Sequence, residues 1–295
     1  MMKIGFIGLG IMGKPMCRNL IKAGYELLVM DQNPETAQHM SDLGVVIAET
    51  PEEVAAQADV VITMLPDSPQ VLDVVMGERG IIKGARPGHT LIDMSSINPS
   101  VTREIYSALE KQGIDMLDAP VSGGEPKAIE GTLTVMVGGK AEVFEKHYEL
   151  IKAMASIVVH VGEIGAGNIA KLCNQIIVAV NISAMAEALI LAQKSGVSPE
   201  LVFKAIRGGL AGSTVLDAKA PLVMDRKFAP GFRVELHIKD LKNVLEASHS
   251  IGLPLPLTAS VMEMMQALLA DGLGKDDHCS LVKYYEKIAN VTIGH

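Results

Sequence analysis

The chain contains no tryptophan and only 5 tyrosines and 5 phenylalanines among 295 residues. The hydrophobic share is nevertheless 48%, so the core must rest on Ile, Leu, Val, Ala and the 17 methionines. Cysteine is equally sparse. Cys17, Cys173 and Cys279 are odd in number, far apart and outside any C-x-x-C spacing. That pattern excludes a disulfide framework and a zinc site, and it points to a reducing, cytoplasmic compartment. A surplus of positive charge is also missing: 26 Lys+Arg stand against 34 Asp+Glu, a net charge of −8. A nucleic-acid surface needs clustered basic residues against phosphates, so no such partner is expected. No uninterrupted apolar run approaches the roughly 18 residues of a membrane span. The apolar start "MMKIGFIGLGIMG" is followed by no A-x-A cleavage pattern. The eight histidines are scattered, and "DDHCS" (276–280) matches no ligand spacing, so no metal is expected either. A soluble protein with one large domain or two ordinary ones fits these exclusions.

Glycine, by contrast, is placed with purpose. "KIGFIGLGIMGKPM" carries Gly8, Gly10 and Gly13 in G-x-G-x-x-G spacing. Lys3 to Ile7 reads as a strand, Met12 to Ala23 as a helix, and Glu26 to Met30 as a second strand closed by Asp31, 21 residues after Gly10. This is the context a dinucleotide site requires. Gly8 permits the turn, Gly10 admits the pyrophosphate to the backbone, and Gly13 lets helix and strand pack closely. Leu9, Ile11 and Met12 complete the loop, and the helix N-terminus offers free N–H groups. Asp31 suits the ribose hydroxyls, and no arginine follows it to receive a 2′-phosphate, so NAD is favoured over NADP.

Strand-like runs continue at 45–48, 59–65, 89–95, 114–120, 133–139 and 157–162, with helical segments such as 51–57, 69–75 and 100–112 between several of them. Strands alternating with helices predict a mostly parallel, doubly wound sheet of Rossmann type. Ligands of such sheets sit beyond the C-terminal strand ends, which makes Leu65, Pro66, Ser95 and Ser96 candidate cofactor contacts. Ordinary turn and N-cap chemistry is the competing reading for the two serines. From 167 the pattern changes. Residues 168–195 contain no proline or glycine and predict one helix about 40 Å long. Helices are expected at 199–207, 236–250, 257–270 and 284–289. The expected division is a dinucleotide-binding domain over 1–163 and an all-α domain over 164–295, and the apolar helices predict a homodimer or homotetramer.

"FIGLGIMGKPM", "DAPVSGG" (118–124), "GEIGAGNIAKLCNQ" (162–175) and "HIKDL" (237–241) occur in that order. Together they resemble the β-hydroxyacid dehydrogenase family, and the resemblance covers essentially the whole chain. It implies a catalytic lysine at Lys171, a helix amide at Asn174, substrate binding by Ser122, Gly123 and Gly124, and a cofactor-site lysine at Lys239. Many relatives have asparagine where this chain has Gln175, so that residue's substrate contact is expected to be altered. The longer matches "DAPVSGGEPKAIEGTL" and "IRGGLAGSTVLDAKAP" imply interconversion of tartronate semialdehyde and D-glycerate, a small carboxylate-bearing aldehyde and its hydroxyacid.

The implied chemistry agrees with the residue types. Lys171 and Asn174 are three apart and share a helix face. An ammonium group near a carbonyl stabilises the negative charge that hydride arrival creates and supplies the proton. Judged alone, Lys171 reads better as a snorkelling lysine with its charge in solvent. A dehydrogenase for another short β-hydroxyacid, such as 3-hydroxyisobutyrate, and a non-catalytic dinucleotide sensor are the alternatives. His237 is expected at a surface or in a cap.

Overall fold

In a computed structural model, residues 2–294 are described. They divide into two compact units, Met1–Lys171 and Leu172–His295. Nine strands build the first: β1 (Lys3–Ile7), β2 (Glu26–Met30), β3 (Val46–Ile47), β4 (Val60–Thr63), β5 (Thr90–Asp93), β6 (Asp115–Asp118), β7 (Val121–Ser122), β8 (Leu133–Gly138) and β9 (Ala155–Gly162). The sheet runs β3-β2-β1-β4-β5-β6-β8, with β7 antiparallel and β9 parallel to β8. The first six strands are parallel to one another in the 3-2-1-4-5-6 order of a dinucleotide-binding sheet, and β6 then meets β8 antiparallel.

Side-chain alternation explains the layers. Ile4, Phe6, Leu27, Val29, Val60, Ile62, Ile92 and Leu117 pack into one core cluster. Their neighbours Ile7, Leu28, Val61, Leu91 and Met116 pack into a second. The strands β1, β2, β4, β5 and β6 thus bury both faces, which accounts for runs of continuous apolar residues rather than alternating ones, while β3 and most of β9 are more exposed. Helices cover the sheet, among them Gly13–Lys22, Pro51–Gln57, Ser68–Met76 and Pro99–Glu110.

The second unit is helical: Pro199–Ile206, Thr214–Met224, Val234–Ser250, Pro256–Ala270 and Val282–Ala289 surround most of the long helix Ala166–Lys194. That helix is long and apolar enough by composition to cross a bilayer, with a mean hydropathy of 1.9 in its most apolar window. The search for uninterrupted apolar runs did not anticipate this, because polar residues break the run. Its Leu172, Ala179, Ile182, Met185, Ala186 and Leu189 line the unit's core instead, while Ile177 and Leu191 stay exposed.

One feature departs from the sequence reading. The helix Thr214–Met224 was not foreseen, because Pro221 lies inside it. Burial of Leu216, Ala220 and Val223 outweighs the hydrogen bond the proline removes. The two compact units divide between Lys171 and Leu172, within the long helix. The cause is local: Gly165 and Asn168 are hydrogen-bonded to Asp118 of β6, so the helix's opening turns belong to the sheet.

Candidate active site

The glycine loop joins the C-terminal end of β1 to the helix Gly13–Lys22. A methyl group on Gly13 would lie 1.9 Å from the Gly8 carbonyl oxygen, so loop and helix meet only because Gly13 has no side chain. Gly8 itself sits at φ +100°, in the region that favours glycine. Gly10 differs: a methyl there would meet nothing within 4 Å. The exposed Gly10 and Ile11 border open space, and the helix N-cap residue Met12 makes no side-chain capping bond. An uncapped helix start facing open space can take a phosphate on its N–H groups.

Asp31 closes this loop. Its Oδ2 accepts from the Leu9 N–H at 2.6 Å and its Oδ1 from the Asn33 N–H at 2.9 Å. A carboxylate has about four acceptor positions, so capacity remains for ribose hydroxyls. These residues fit a bound dinucleotide. Leu9 contributes backbone only, since its side chain is wholly buried in the core.

The other cofactor-side candidates divide. Leu65 is half-buried and Pro66 exposed, both just beyond β4. Ser96 is half-buried. Ser95, expected to offer its hydroxyl to the nicotinamide, is instead 0% exposed, and that hydroxyl accepts from the Leu65 N–H at 2.9 Å. It ties the loop after β5 to the loop after β4, so direct contact gives way to positioning. Behind it, Asp93 Oδ1 accepts from Thr63 Oγ1 and the Ser95 N–H.

Ser122, Gly123 and Gly124 leave β7 in a turn, with Gly123 at φ +133° and Gly124 at φ +68°. Gly123 is exposed and the other two are half-buried, so the turn is accessible. The strand β6, which precedes β7 in the chain, meets the helix carrying Lys171. At Gly167 a methyl group would lie 2.4 Å from the Asp118 carbonyl oxygen and 2.5 Å from that of Met136. Gly167 therefore allows the opening turn of the long helix to rest directly on β6 and β8. One turn later comes Lys171, which is 8% exposed. That burial favours a place inside the fold over a side chain extended into solvent.

Asn174 and Gln175 follow on the same helix. Asn174 Nδ2 donates to Gln175 Oε1 at 2.7 Å, and Gln175 Nε2 donates to Asp240 Oδ2. Asp240 in turn pairs with Lys239, Nζ to Oδ1, at 2.9 Å. Within the second unit the structure thus joins Asn174, Gln175 and Lys239 through Asp240. Gln175, expected to bind substrate, is buried and has both ends of its amide occupied. With its Nδ2 committed to Gln175, Asn174 has its carbonyl oxygen as the acceptor for a hydroxyl or ammonium.

His237 is neither at the surface nor a cap. It is wholly buried and its Nδ1 meets His278 Nδ1 at 3.0 Å. "DDHCS" forms a short 3₁₀ turn whose Asp277 caps the Cys279 N–H. Among the described residues, no group of His, Cys, Asp and Glu could hold a metal ion. Sequence reasoning missed Asp118 and Asn168 as participants, and it missed the bond from Gln175 to Asp240. All three lie inside the quoted motifs, but these bonds cross 47 to 65 residues and leave no local pattern.

Comparison with known proteins accords with this geometry. Residues 3–162 match the NAD-binding domain of 6-phosphogluconate dehydrogenase, and residues 165–285 match the NAD-binding domain of NADP-dependent 3-hydroxyisobutyrate dehydrogenase. The chain belongs to the β-hydroxyacid dehydrogenase family. Family relatives include the 2-hydroxy-3-oxopropionate reductase of Escherichia coli, 44% identical over 98% of this chain and 99% of that one. The 2-(hydroxymethyl)glutarate dehydrogenase of Eubacterium barkeri is 37% identical over 99% and 97% of the two chains. Among solved structures, a 3-hydroxyisobutyrate dehydrogenase of Mycobacterium tuberculosis with L-serine aligns with a TM-score of 0.89 at 34% identity, over 97% of this chain and 99% of that one. As a family member the protein is an NAD(H)-binding oxidoreductase that acts on the CH–OH group of a β-hydroxyacid; the second family model keeps NADP open as a cofactor.

Proposed function

We propose that the protein reduces tartronate semialdehyde to D-glycerate with NADH, reversibly, using Lys171 as the acid–base group. The observation that carries this reading is the junction at Gly167. There the helix bearing a buried lysine rests on β6 and β8, and β6 is followed four residues on by Ser122, Gly123 and Gly124. The substrate choice is supported by the identity to the Escherichia coli reductase over nearly the full length of both chains.

The dinucleotide supplies the hydride when bound. Ser122 and the N–H groups of Gly123 and Gly124 hold the substrate carboxylate, in a turn that takes positive φ at both glycines. The Lys171 ammonium donates its proton to the aldehyde oxygen as charge develops there, and in the oxidative direction the neutral amine takes the hydroxyl proton. Asn174, on the same helix face, accepts a hydrogen bond through its carbonyl oxygen from that hydroxyl or from the lysine. Asp31 favours NADH, because its carboxylate repels a 2′-phosphate. The free cysteines Cys17, Cys173 and Cys279 accord with a cytoplasmic location.

A second reading, oxidation of 3-hydroxyisobutyrate, is favoured by the similarity to the Mycobacterium tuberculosis structure. Following NADH absorbance with a panel of C3 and C4 aldehyde acids and their hydroxyacids separates the two. Highest kcat/KM with tartronate semialdehyde supports the proposal, and highest kcat/KM with 3-hydroxyisobutyrate replaces it. No turnover with any member leaves a non-catalytic dinucleotide-binding protein.

A further inference from the structure

At the end of β6 the Asp118 carboxylate is wholly buried. Its Oδ1 accepts from the Gly165 N–H and its Oδ2 from the Asn168 N–H, both at 2.7 Å. Asn168 extends the grip. Its Oδ1 accepts from the Ile97 N–H, and its Nδ2 donates to Thr102 Oγ1, each at 3.1 Å. Most helix caps in this chain are local: Asn33 takes the Glu35 N–H, Thr50 that of Glu53, Asn98 that of Ser100 and Ser213 that of Leu216. A local cap satisfies a helix end without locating it. The bonds from Asp118 cross 47 and 50 residues of chain, so they determine where on the sheet the long helix begins.

We propose that Asp118 is a positioning residue for Lys171: one carboxylate holds the Gly165 and Asn168 N–H groups together and thereby sets the rotation and depth of the turn from which Lys171 projects. The proposal rests on the reading of Lys171 as the acid–base group. Lys171 follows Asn168 by three positions and lies one turn along the same face, so a helix start that rolls or lifts carries the lysine with it. The absence of a side chain at Gly167 lets the helix settle against the Asp118 and Met136 carbonyls, and the carboxylate then locks it there.

A charge in this place is costly. Burial pushes the Asp118 carboxyl up to about 7, and the neighbouring Asp93 adds to the rise, against the two backbone hydrogen bonds. An asparagine would avoid the charge but has a single acceptor oxygen, and the two N–H groups need two. The charged and titratable surroundings are Asp93 at the end of β5, Arg103 of the helix Pro99–Glu110, whose guanidinium lies against Gly165, and Lys171 farther along the long helix itself. The adjoining β8 contributes Gly138, which carries no charge. Protonation puts an O–H where an N–H must be accepted, so one of the two bonds is lost.

The test is Asp118→Asn, assayed with NADH and tartronate semialdehyde across pH. A displacement near 1 Å at a reacting group costs about 100-fold, so kcat should fall by about that factor. KM and NADH affinity should stay within about threefold. Wild-type kcat should show an acid limb near pH 7, and the variant should lack it. A folded variant with wild-type kcat and an unchanged acid limb overturns the proposal. So does an equal fall in kcat, substrate binding and NADH affinity, which marks a general structural role. If Asp118→Asn does not fold, Asn168→Ala is judged by the same split between kcat and KM, and an unchanged kcat overturns the proposal. If the wild type reduces no aldehyde, the functional reading falls separately. The clamp is then judged by NMR of 15N-lysine protein, where the Lys171 ammonium resonance must move between wild type and Asp118→Asn; an unmoved resonance overturns it.

Discussion

At the scale of single residues, Lys171 carries the proposed chemistry because it is an ionisable group taken out of solvent. A charge in that position costs stability unless it is partnered, which is a poor bargain for a structural side chain and a reasonable one for a proton donor. Lys171→Ala should lose about 10²–10⁴-fold in kcat while melting temperature and NADH affinity stay near wild type. Near-normal turnover in the folded variant would end the mechanism. Asp31 acts on two fronts. It binds the Leu9 N–H at 2.6 Å, which shapes the glycine loop, and its charge opposes a 2′-phosphate. Asp31→Ser should therefore reduce kcat/KM with NADH and narrow the gap to NADPH. Steady-state assays with both cofactors check this, and equal wild-type efficiency with the two would show that this acid does not select.

At the scale of elements, the long helix Ala166–Lys194 has two unlike ends. Its start is bonded to the sheet of the first unit through Asp118 and Asn168. Its remainder supplies Leu172, Ala179, Ile182 and Leu189 to the core of the second. The point of closest approach is Gly167, and its intolerance of a side chain can be measured. A methyl 2.4 Å from the Asp118 carbonyl oxygen overlaps backbone that cannot swing away. Gly167→Ala should destabilise the protein by about 1–3 kcal/mol, the usual cost of overpacking. It should also reduce kcat, since the turn leading to Lys171 is lifted. Chemical denaturation and a steady-state assay test both parts, and wild-type values in each would show that the strand and helix yield easily.

For the whole molecule, two buried carboxyls act at opposite ends of the pH scale. Burial raises Asp277, but the His278 charge, the Lys219 ammonium at 2.9 Å and the Cys279 N–H outweigh it and hold the carboxyl well below its usual range. A depressed folded pKa contributes stability above the unfolded value, near 3.8, and that share disappears as pH falls below it. Asp118 is the reverse. Its raised pKa contributes stability that is full below about 3.8 and is lost as pH rises through about 7. Tm should decline in strong acid, and the Asp118 share should be lost between about pH 4 and 7, so Asp118→Asn should flatten the slope in that window. Lys219→Met should destabilise the protein at neutral pH by removing one of the two cations that hold the Asp277 charge. Calorimetry from about pH 1.5 to 9 reads all three effects. Exposed Ile177 and Leu191 on the long helix lead to one further expectation, a dimer or tetramer. Light scattering that shows a monomer at micromolar concentration would remove it.

The glycine loop was legible in the sequence because its chemistry is local. Gly8, Gly10 and Gly13 lie within six positions, and the strand and helix they join have short-range periodicities. The strand–helix alternation and the long helix were legible for the same reason. Lys171 was legible only as a choice between solvent and site, and its burial supports the second. Other roles depended on distance in space. Ser95 reads as a free hydroxyl until Leu65 is seen to use it, and Gln175 reads as a substrate contact until Asp240 and Asn174 occupy both ends of its amide. Local sequence therefore determined the doubly wound and helical halves, the dinucleotide loop and the candidate lysine. Tertiary structure decided which polar groups remain available to a ligand, because a hydrogen bond across 47 or 65 residues depends on folded geometry and leaves no periodic trace along the chain.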